Sequence, residues 1–367
     1  MRTEEEIFRA LSKVIHPEKG KDIVTIGMVQ YAYEDENGIS VVLEPERPND
    51  PFLASIKSTI VKALKSAFGP DTSIASIEVN RGAEEIVQEE KPDNIVPGVK
   101  NVIAIASGKG GVGKTTVAVN LAIALAKAGN RVGLVDADIF GPSVPKMLGA
   151  VDFKPEIRMV NGAEKIAPLE KFGIKVLSAG FFVNPKDATI WRGPMASNFL
   201  KQIIELGDWG ELDYLLFDLP PGTSDIHLTL VQEVAVTGAI IVTTPQEVAL
   251  ADAIKGISMF RSDKIEVPII GLIENMSYFT PAELPENKYY IFGKEGGQRL
   301  ANEMNVGFLG QIPIVQSICE SGDKGTPPAL EDSIVGNAFA KLAGEVVAGV
   351  AVRNKLKKPT TRVQVTK

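Results

Sequence analysis

Residues 101–127 constrain this chain more than any other stretch. An apolar run, NVIAIAS (101–107), passes through Gly108-Lys109-Gly110-Gly111-Val112-Gly113-Lys114-Thr115 into the helix-like pattern TTVAVNLAIALAKAG. Strand, glycine loop and helix in that order match G-x-x-x-x-G-K-[ST], a loop whose backbone N–H groups turn inward around phosphate oxygens. The helix N-terminus adds the positive end of its dipole. Lys114 is predicted to neutralise β- and γ-phosphates, the Thr115 hydroxyl to coordinate Mg²⁺, and Thr116 to donate to an α-phosphate. Gly108, Lys109, Gly110, Gly111, Val112 and Gly113 complete the nucleotide-binding loop.

Further strand-like runs follow at 131–137, 174–180, 213–219, 238–244, 267–275 and 306–313, with helical patterns between most of them. Their near-continuous apolar character predicts a mostly parallel, doubly wound sheet covered on both faces, an α/β P-loop domain spanning 100–352. Two of these strands end in acids, Asp136-Ala137-Asp138 and Asp218. An acid at the carboxyl end of a neighbouring strand is where Mg²⁺ needs a counter-charge, so Asp138 and Asp218 are assigned metal or water positioning. Gly222, after Pro220-Pro221, would let its segment move with the γ-phosphate. No residue stands out for nucleophilic chemistry, which suits phosphoryl transfer to water.

The flanking regions differ in character. Residues 1–81 read as a small α+β unit. Its helices are placed at Glu4–Val14 and Pro51–Phe68, its strands at Asp22–Val29 and Ile74–Val79, with a hairpin through Gly38 into Ile39–Pro45. Residues 82–99, with five acids against one lysine, read as a linker. Ile334–Val352 is an alanine-rich helix pattern. The basic tail 353–367 carries six basic residues and no acid. It reads as a frayed, solvated tail behind a packing helix, because it lacks the large apolar residues of a membrane anchor.

Composition narrows the class further. Hydrophobic residues at 44% and charged residues at 23% exclude disorder throughout. The net charge of −7 argues against nucleic-acid binding, which needs a basic stripe. No apolar run approaches the ~18–20 residues of a membrane span, and MRTEEEIFRAL lacks the basic start of a secretory signal, so a cytoplasmic protein is expected. Cys319 is the one cysteine, which excludes an intrachain disulfide or a four-cysteine metal site within one chain, and His16 and His227 do not make up the deficit.

Lys109 inside the loop resembles the deviant Walker A signature of MinD/ParA-like ATPases. The phrases VDADIFGPSVPKMLG, WRGPM, DYLLFDLPPGTSD, TTPQEVALADAIKG, GLIENMSYF, IFGKEGG and SGDKGTPPAL resemble the Mrp/ApbC branch of iron–sulfur cluster carrier ATPases. HPEKGKDIVTIGMV resembles the MIP18-type domain that precedes the ATPase in bacterial members. The resemblance covers nearly all of residues 1–355.

It implies a homodimer sandwiching two ATP molecules, in which Lys109 reaches the partner's phosphates and acts with Lys114 and Asp138 in hydrolysis. It further implies that Asn275 reads the adenine edge near Gln311–Pro313, and that iron–sulfur scaffolds or client apoproteins are partners. Family members commonly carry a C-x-x-C after the NMSYF phrase, and a dimer of them bridges one [4Fe–4S] cluster. Here Phe279 runs into TPAELPENKYYIFG without a cysteine, so two chains would bring only their two Cys319 thiolates. Cys319 itself reads as a small half-buried residue. The alternative is a MinD/ParA-like switch that positions a partner on a membrane or nucleoid without cluster binding.

Overall fold

The chain divides into two compact units, residues 1–91 and 92–367. The computed structural model describes residues 2–35, 38–45, 50, 52–70, 72–79, 95–139, 141–182, 193–281, 283–284 and 286–363. Most of the expected linker, and Trp191 and Arg192 of the WRGPM phrase, therefore lie outside the described residues.

In the first unit, α1 (Glu4–Leu11) opens on a capping box. Thr3 Oγ1 accepts from the Glu6 N–H, and the Glu6 carboxylate accepts from the Thr3 N–H. β1 (Val29–Asp35) and β2 (Gly38–Leu43) pair antiparallel, and α2 (Leu53–Phe68) leads to β3 (Ile74–Val79), parallel to β2. Ile7 and Leu11 of α1 and Ile56, Ile60 and Leu64 of α2 share one buried core with Ile39, Val41 and Leu43.

The strand expected over Asp22–Val29 is instead a series of turns through Gly27. The Asp22 carboxylate accepts from the Val24 and Thr25 N–H groups at 3.2 and 2.8 Å, a local alternative to ladder bonding. The hairpin forms with its first strand moved to Val29–Asp35.

The second unit is built on eight strands. These are β4 (Val99–Ala106), β5 (Val132–Asp136), β8 (Leu169–Lys171), β9 (Ile174–Ser178), β10 (Leu212–Asp218), β11 (Gly238–Thr243), β12 (Ile269–Glu274) and β13 (Phe308–Gln311). They lie in the order β13-β12-β11-β4-β10-β5-β9-β8, and all pairs are parallel except β8 with β9. Between β5 and β8 come the short helix α4 (Val144–Met147) and an antiparallel hairpin, β6 (Ile157–Val160) with β7 (Ala163–Ile166).

Alternate residues of the strands feed two apolar layers. Val102, Ala104, Leu215 and Phe217 join a core that includes side chains from α5 (Gly193–Leu206), α6 (Asp225–Glu233), α7 (Glu247–Arg261) and α8 (Gly296–Glu303). Ile103, Ile105, Leu134 and Leu216 join the core under α3 (Lys114–Lys127) and α10 (Ile334–Leu356). The doubly wound sheet is therefore as the sequence pattern indicates.

Two corrections concern the carboxyl-terminal region. α10 runs four residues past the expected Val352, and beyond it the Val363 N–H donates to the Val231 carbonyl at 2.9 Å, so this part of the tail is paired rather than frayed. By length and composition α10 could cross a bilayer, contrary to the expectation that no segment approaches that limit. Here it packs on α3, β12 and β13, and Phe339, Leu342 and Val346 are buried there.

Candidate nucleotide site

Sheet register assembles the site. Asp218, the last residue of β10, is level with Asp136 at the end of β5 and with Ile105 near the end of β4. The loop that follows β4 therefore emerges directly over both carboxylates, at the carboxyl edge where parallel sheets bind ligands.

The loop itself depends on glycine at defined points. Gly111 and Gly113 have φ of +82° and +77°, in the left-handed region that side chains disfavour. A Cβ at Gly108 would stand 2.1 Å from the Asp252 carbonyl carbon and oxygen, so α7 packs on bare backbone there. Gly113 caps α3 without any side-chain hydrogen bond, which leaves the first N–H groups of a 14-residue helix for an anion.

Beneath the loop lies a compact charge cluster. Lys114 Nζ donates to Asp218 Oδ1 at 2.5 Å, and Thr115 Oγ1 donates to Asp218 Oδ2 at 2.7 Å. Lys114 is 6% exposed and Asp218 is fully buried. Asp136 is buried beside them. It accepts from Ser178 Oγ at 2.8 Å and from the Asp138 and Val144 N–H groups at 3.3 Å. Burial, and next the charge of Asp218, push the Asp136 carboxyl above the usual carboxylate range.

Asp138 is half-buried, lines the cavity above and accepts from the Gly141 N–H at 3.2 Å. The Gly222 N–H donates to the Ser107 carbonyl at 2.9 Å, tying the Pro220-Pro221-Gly222 segment to the start of the loop.

The cavity has a volume of about 730 Å³. Lys109 through Thr116 and Asp138 line one end, and Asn275, Met276, Phe292 and Pro313–Val315 line the other. Asn275 Nδ2 donates to the Val112 carbonyl at 2.8 Å, joining the end of β12 to the loop. The residues expected at the site are thus brought together, with Gly108 at the root of the loop and Asp218 below its floor. Cys319 falls on α9 (Gln316–Lys324), whose Ile318 and Gly322 reach the cavity; its side chain is outside the described residues.

Sequence reasoning missed several residues. Asp136 receives no role in the sequence reading beside Asp138, and its place at the last position of β5 is the signal that could have found it. His227, one turn into α6, is buried, and burial lowers its pKa to about 4. Its Nδ1 accepts from the Ser224 N–H at 3.2 Å, while Nε2 meets no partner among the described residues.

Mg²⁺ takes few protein oxygens and keeps water and phosphate as its other ligands, which suits Thr115, Asp218 and Asp138. No group of three or more His, Cys, Asp or Glu among the described residues is arranged to hold a metal ion. A four-iron cluster normally takes four thiolates, and one cysteine does not meet that need.

A glycine loop between β4 and α3, over a lysine–threonine–aspartate cluster at the edge of a parallel sheet, defines a P-loop nucleotide-binding NTPase. Residues 98–347 match the NUBPL iron-transfer P-loop NTPase family, and residues 4–76 match a family described as iron–sulfur cluster assembly protein. The chain belongs to this iron-transfer NTPase family. It is 40% identical over 355 residues to an iron–sulfur cluster carrier protein of Synechocystis, covering 96% of this chain and 99% of the relative. It is 42% identical over 306 residues to the iron–sulfur cluster transfer protein NUBPL of Dictyostelium discoideum, covering 83% and 93%.

Among solved structures, a nucleotide-binding protein from Archaeoglobus fulgidus in complex with ADP aligns with a TM-score of 0.56 at 34% identity, covering 67% of this chain and 94% of that one. The cell division ATPase MinD of Pyrococcus furiosus aligns with a TM-score of 0.50 at 26% identity, covering 68% and 98%. The MinD likeness is one of fold, whereas the carrier relatives extend across both units.

Proposed function

We propose that this chain binds and hydrolyses Mg–ATP as a homodimer and that hydrolysis drives transfer of iron–sulfur clusters to apoproteins. The observation that carries the hydrolytic reading is the joint hold of Lys114 and Thr115 on Asp218 at the root of α3. A triphosphate in the loop draws Lys114 toward its β- and γ-oxygens. Thr115, Asp218 and Asp138 would hold Mg²⁺, which would supply positive charge to the phosphate oxygens. Asp138 orients the attacking water, and Asn275 meets the adenine edge. Lys109, in the loop that lines the cavity, delivers its charge to the phosphates of a second protomer, where negative charge grows in the transition state.

Family membership over both units supports clusters as cargo, ahead of the surface-positioning role of MinD-like proteins. The cluster is substrate, with at least part of its thiolate set supplied by a scaffold or client, because this chain carries Cys319 alone. The first unit is read as the docking module for such partners.

Anaerobic purification followed by iron and sulfide analysis, with steady-state ATP turnover measured on the same sample, tests the proposal. ATP turnover with little bound iron, stimulated by a cluster-loaded scaffold, is expected. Absence of turnover would end the hydrolytic reading. Turnover without any effect on cluster arrival at an apoprotein would end the transfer reading.

A further inference from the structure

Glu274 closes β12 and is fully buried, yet it faces neither a lysine nor an arginine in any ion pair among the described residues. Its carboxylate is instead held by hydrogen-bond donors from three places in the chain. Oε2 accepts from the Gly297 N–H at 2.5 Å, in the first turn of α8. Oε1 accepts from Ser277 Oγ at 2.7 Å and from Gln311 Nε2 at 2.9 Å, at the end of β13. A Cβ at Gly297 would lie 2.9 Å from the Glu274 Cβ and 3.0 Å from Oε2, so glycine is what lets α8 approach this closely.

Such an arrangement costs desolvation of a carboxylate and needs a return. The return lies in the next residues. Met276 takes φ of +54°, a strained value for a side-chain-bearing residue, and it lines the nucleotide cavity. Asn275 is pinned on both sides. Its N–H donates to the Thr243 carbonyl at 2.8 Å, and its Nδ2 donates to the Val112 carbonyl at 2.8 Å. Only the amide nitrogen can donate to a carbonyl, so the Asn275 Oδ1 is left as an acceptor. An acceptor there suits the exocyclic amino group of adenine and opposes the O6 carbonyl of guanine.

We propose that Glu274 is the positioning residue for base recognition: by locking the Asn275–Ser277 turn to α8 and β13, it fixes the Asn275 carboxamide in the orientation that prefers adenine to guanine. This rests on the reading of the cavity as a nucleotide site and adds a residue that never touches the nucleotide.

The chemistry of the clamp supplies its own control. In Glu274→Met both acceptor oxygens are gone, and the Gly297 and Gln311 donors lose their partner. The turn then loosens. In Glu274→Gln the amide oxygen accepts from Gly297 while its NH₂ donates to the Gln311 Oε1, presented once that amide turns over, so the clamp stays closed with its polarity exchanged. Calorimetric titration with ADP and with GDP reads the effect without requiring turnover.

For Glu274→Met, ADP affinity is expected to fall about tenfold, as for loss of charge-assisted hydrogen bonding, and GDP affinity to change less, so that preference for ADP shrinks. Glu274→Gln is expected to keep most of that preference. Gln311→Met, which removes one of the three bonds and leaves the carboxylate in place, is expected to reduce the preference about threefold, within the range of one hydrogen bond. This milder change keeps the test available if Glu274→Met fails to fold.

An unchanged ADP-to-GDP ratio in folded Glu274→Met or Gln311→Met overturns the proposal. Equal losses for both nucleotides also overturn it. A wild-type chain that binds ADP without hydrolysing ATP defeats the hydrolytic reading only. A wild-type chain that binds no ADP overturns the nucleotide site and the Glu274 role together.

Discussion

Lys114 and Asp218 meet at 2.5 Å with almost no solvent between them, and Thr115 takes the other oxygen of the same carboxylate. The three side chains come from the first turn of α3 and the last position of β10, which are 103 and 104 residues apart. Their meeting follows from β4 and β10 lying side by side in register. The pair is structural and functional at once, because a nucleotide phosphate competes with Asp218 for the same ammonium group.

Lys114→Ala is therefore expected to abolish ATP turnover and also to lower stability, since it leaves a buried carboxylate without its cation. Breaking a buried pair in this way costs about 3–5 kcal/mol. The double variant Lys114→Met/Asp218→Asn removes both charges and is expected to recover most of that stability without any turnover. Urea unfolding at pH 7.5 together with an ATPase assay separates the two effects. If the double variant is as unstable as Lys114→Ala, the pair is not what holds this corner.

Lys109 stands apart from this cluster. It is half-buried and lines the cavity, and its backbone carbonyl accepts from Ser107 Oγ at 3.0 Å. Lys109→Ala is expected to leave ADP affinity near the wild-type value and to lower kcat by roughly a thousandfold, the scale of a cation supplied to phosphoryl transfer. Wild-type specific activity is expected to rise with protein concentration as dimers form. Normal turnover in Lys109→Ala, or specific activity independent of concentration down to nanomolar protein, would remove the trans role.

Asp136 offers a test on pH. Its carboxyl is held above the usual range by burial and by Asp218, so the folded chain binds this proton more tightly than the unfolded chain does. Stability from this group is complete below the unfolded carboxyl value near 3.8 and is lost as pH rises through the folded value. Asp136→Asn keeps an oxygen to accept from Ser178 and removes the charge. It is expected to melt at a higher temperature than wild type at pH 8, with the difference closing toward pH 4. A lower melting temperature than wild type at pH 8 would show that the ionised form is needed for packing.

The parts of the molecule that could be read from sequence are those whose physics is local or periodic. The glycine loop announced itself because strand, turn and helix are consecutive, and the buried strands did so because both faces of a parallel sheet must be apolar. β6 and β7 escaped notice because their pattern carries no burial: Ile157 and Met159 are 70% and 68% exposed. The turn after Asp22 was read as a strand because its alternation is real, and the capping by its carboxylate competes with it. Asp136, His227 and Glu274 were illegible for a different reason. Asp136 and Glu274 owe their character to partners far off in the chain, Ser178 and Gln311, and His227 owes its own to burial in the assembled fold.

Burial of His227 ties the stability of the fold to pH. Burial lowers its pKa to about 4, with the charge of Lys114 acting in the same direction, against an ordinary value of 6.5. The Ser224 N–H donates to Nδ1, so the ring is neutral with its proton on Nε2, which has no partner among the described residues. The unfolded chain takes up a proton as pH falls below 6.5, and the folded chain resists until about 4. Stability is therefore lost across that window as pH falls, by on the order of 3 kcal/mol in all, and is unaffected by this group above it. His227→Asn keeps an acceptor for the Ser224 N–H and removes the titration. The difference in unfolding free energy between variant and wild type, followed by urea titration from pH 7.5 to 4.5, is expected to stay level down to about 6.5 and then to move in the variant's favour as pH falls. A difference that stays constant over the whole range would mean that His227 takes up its proton at the same pH in the folded and the unfolded chain, so that burial does not hold the ring neutral.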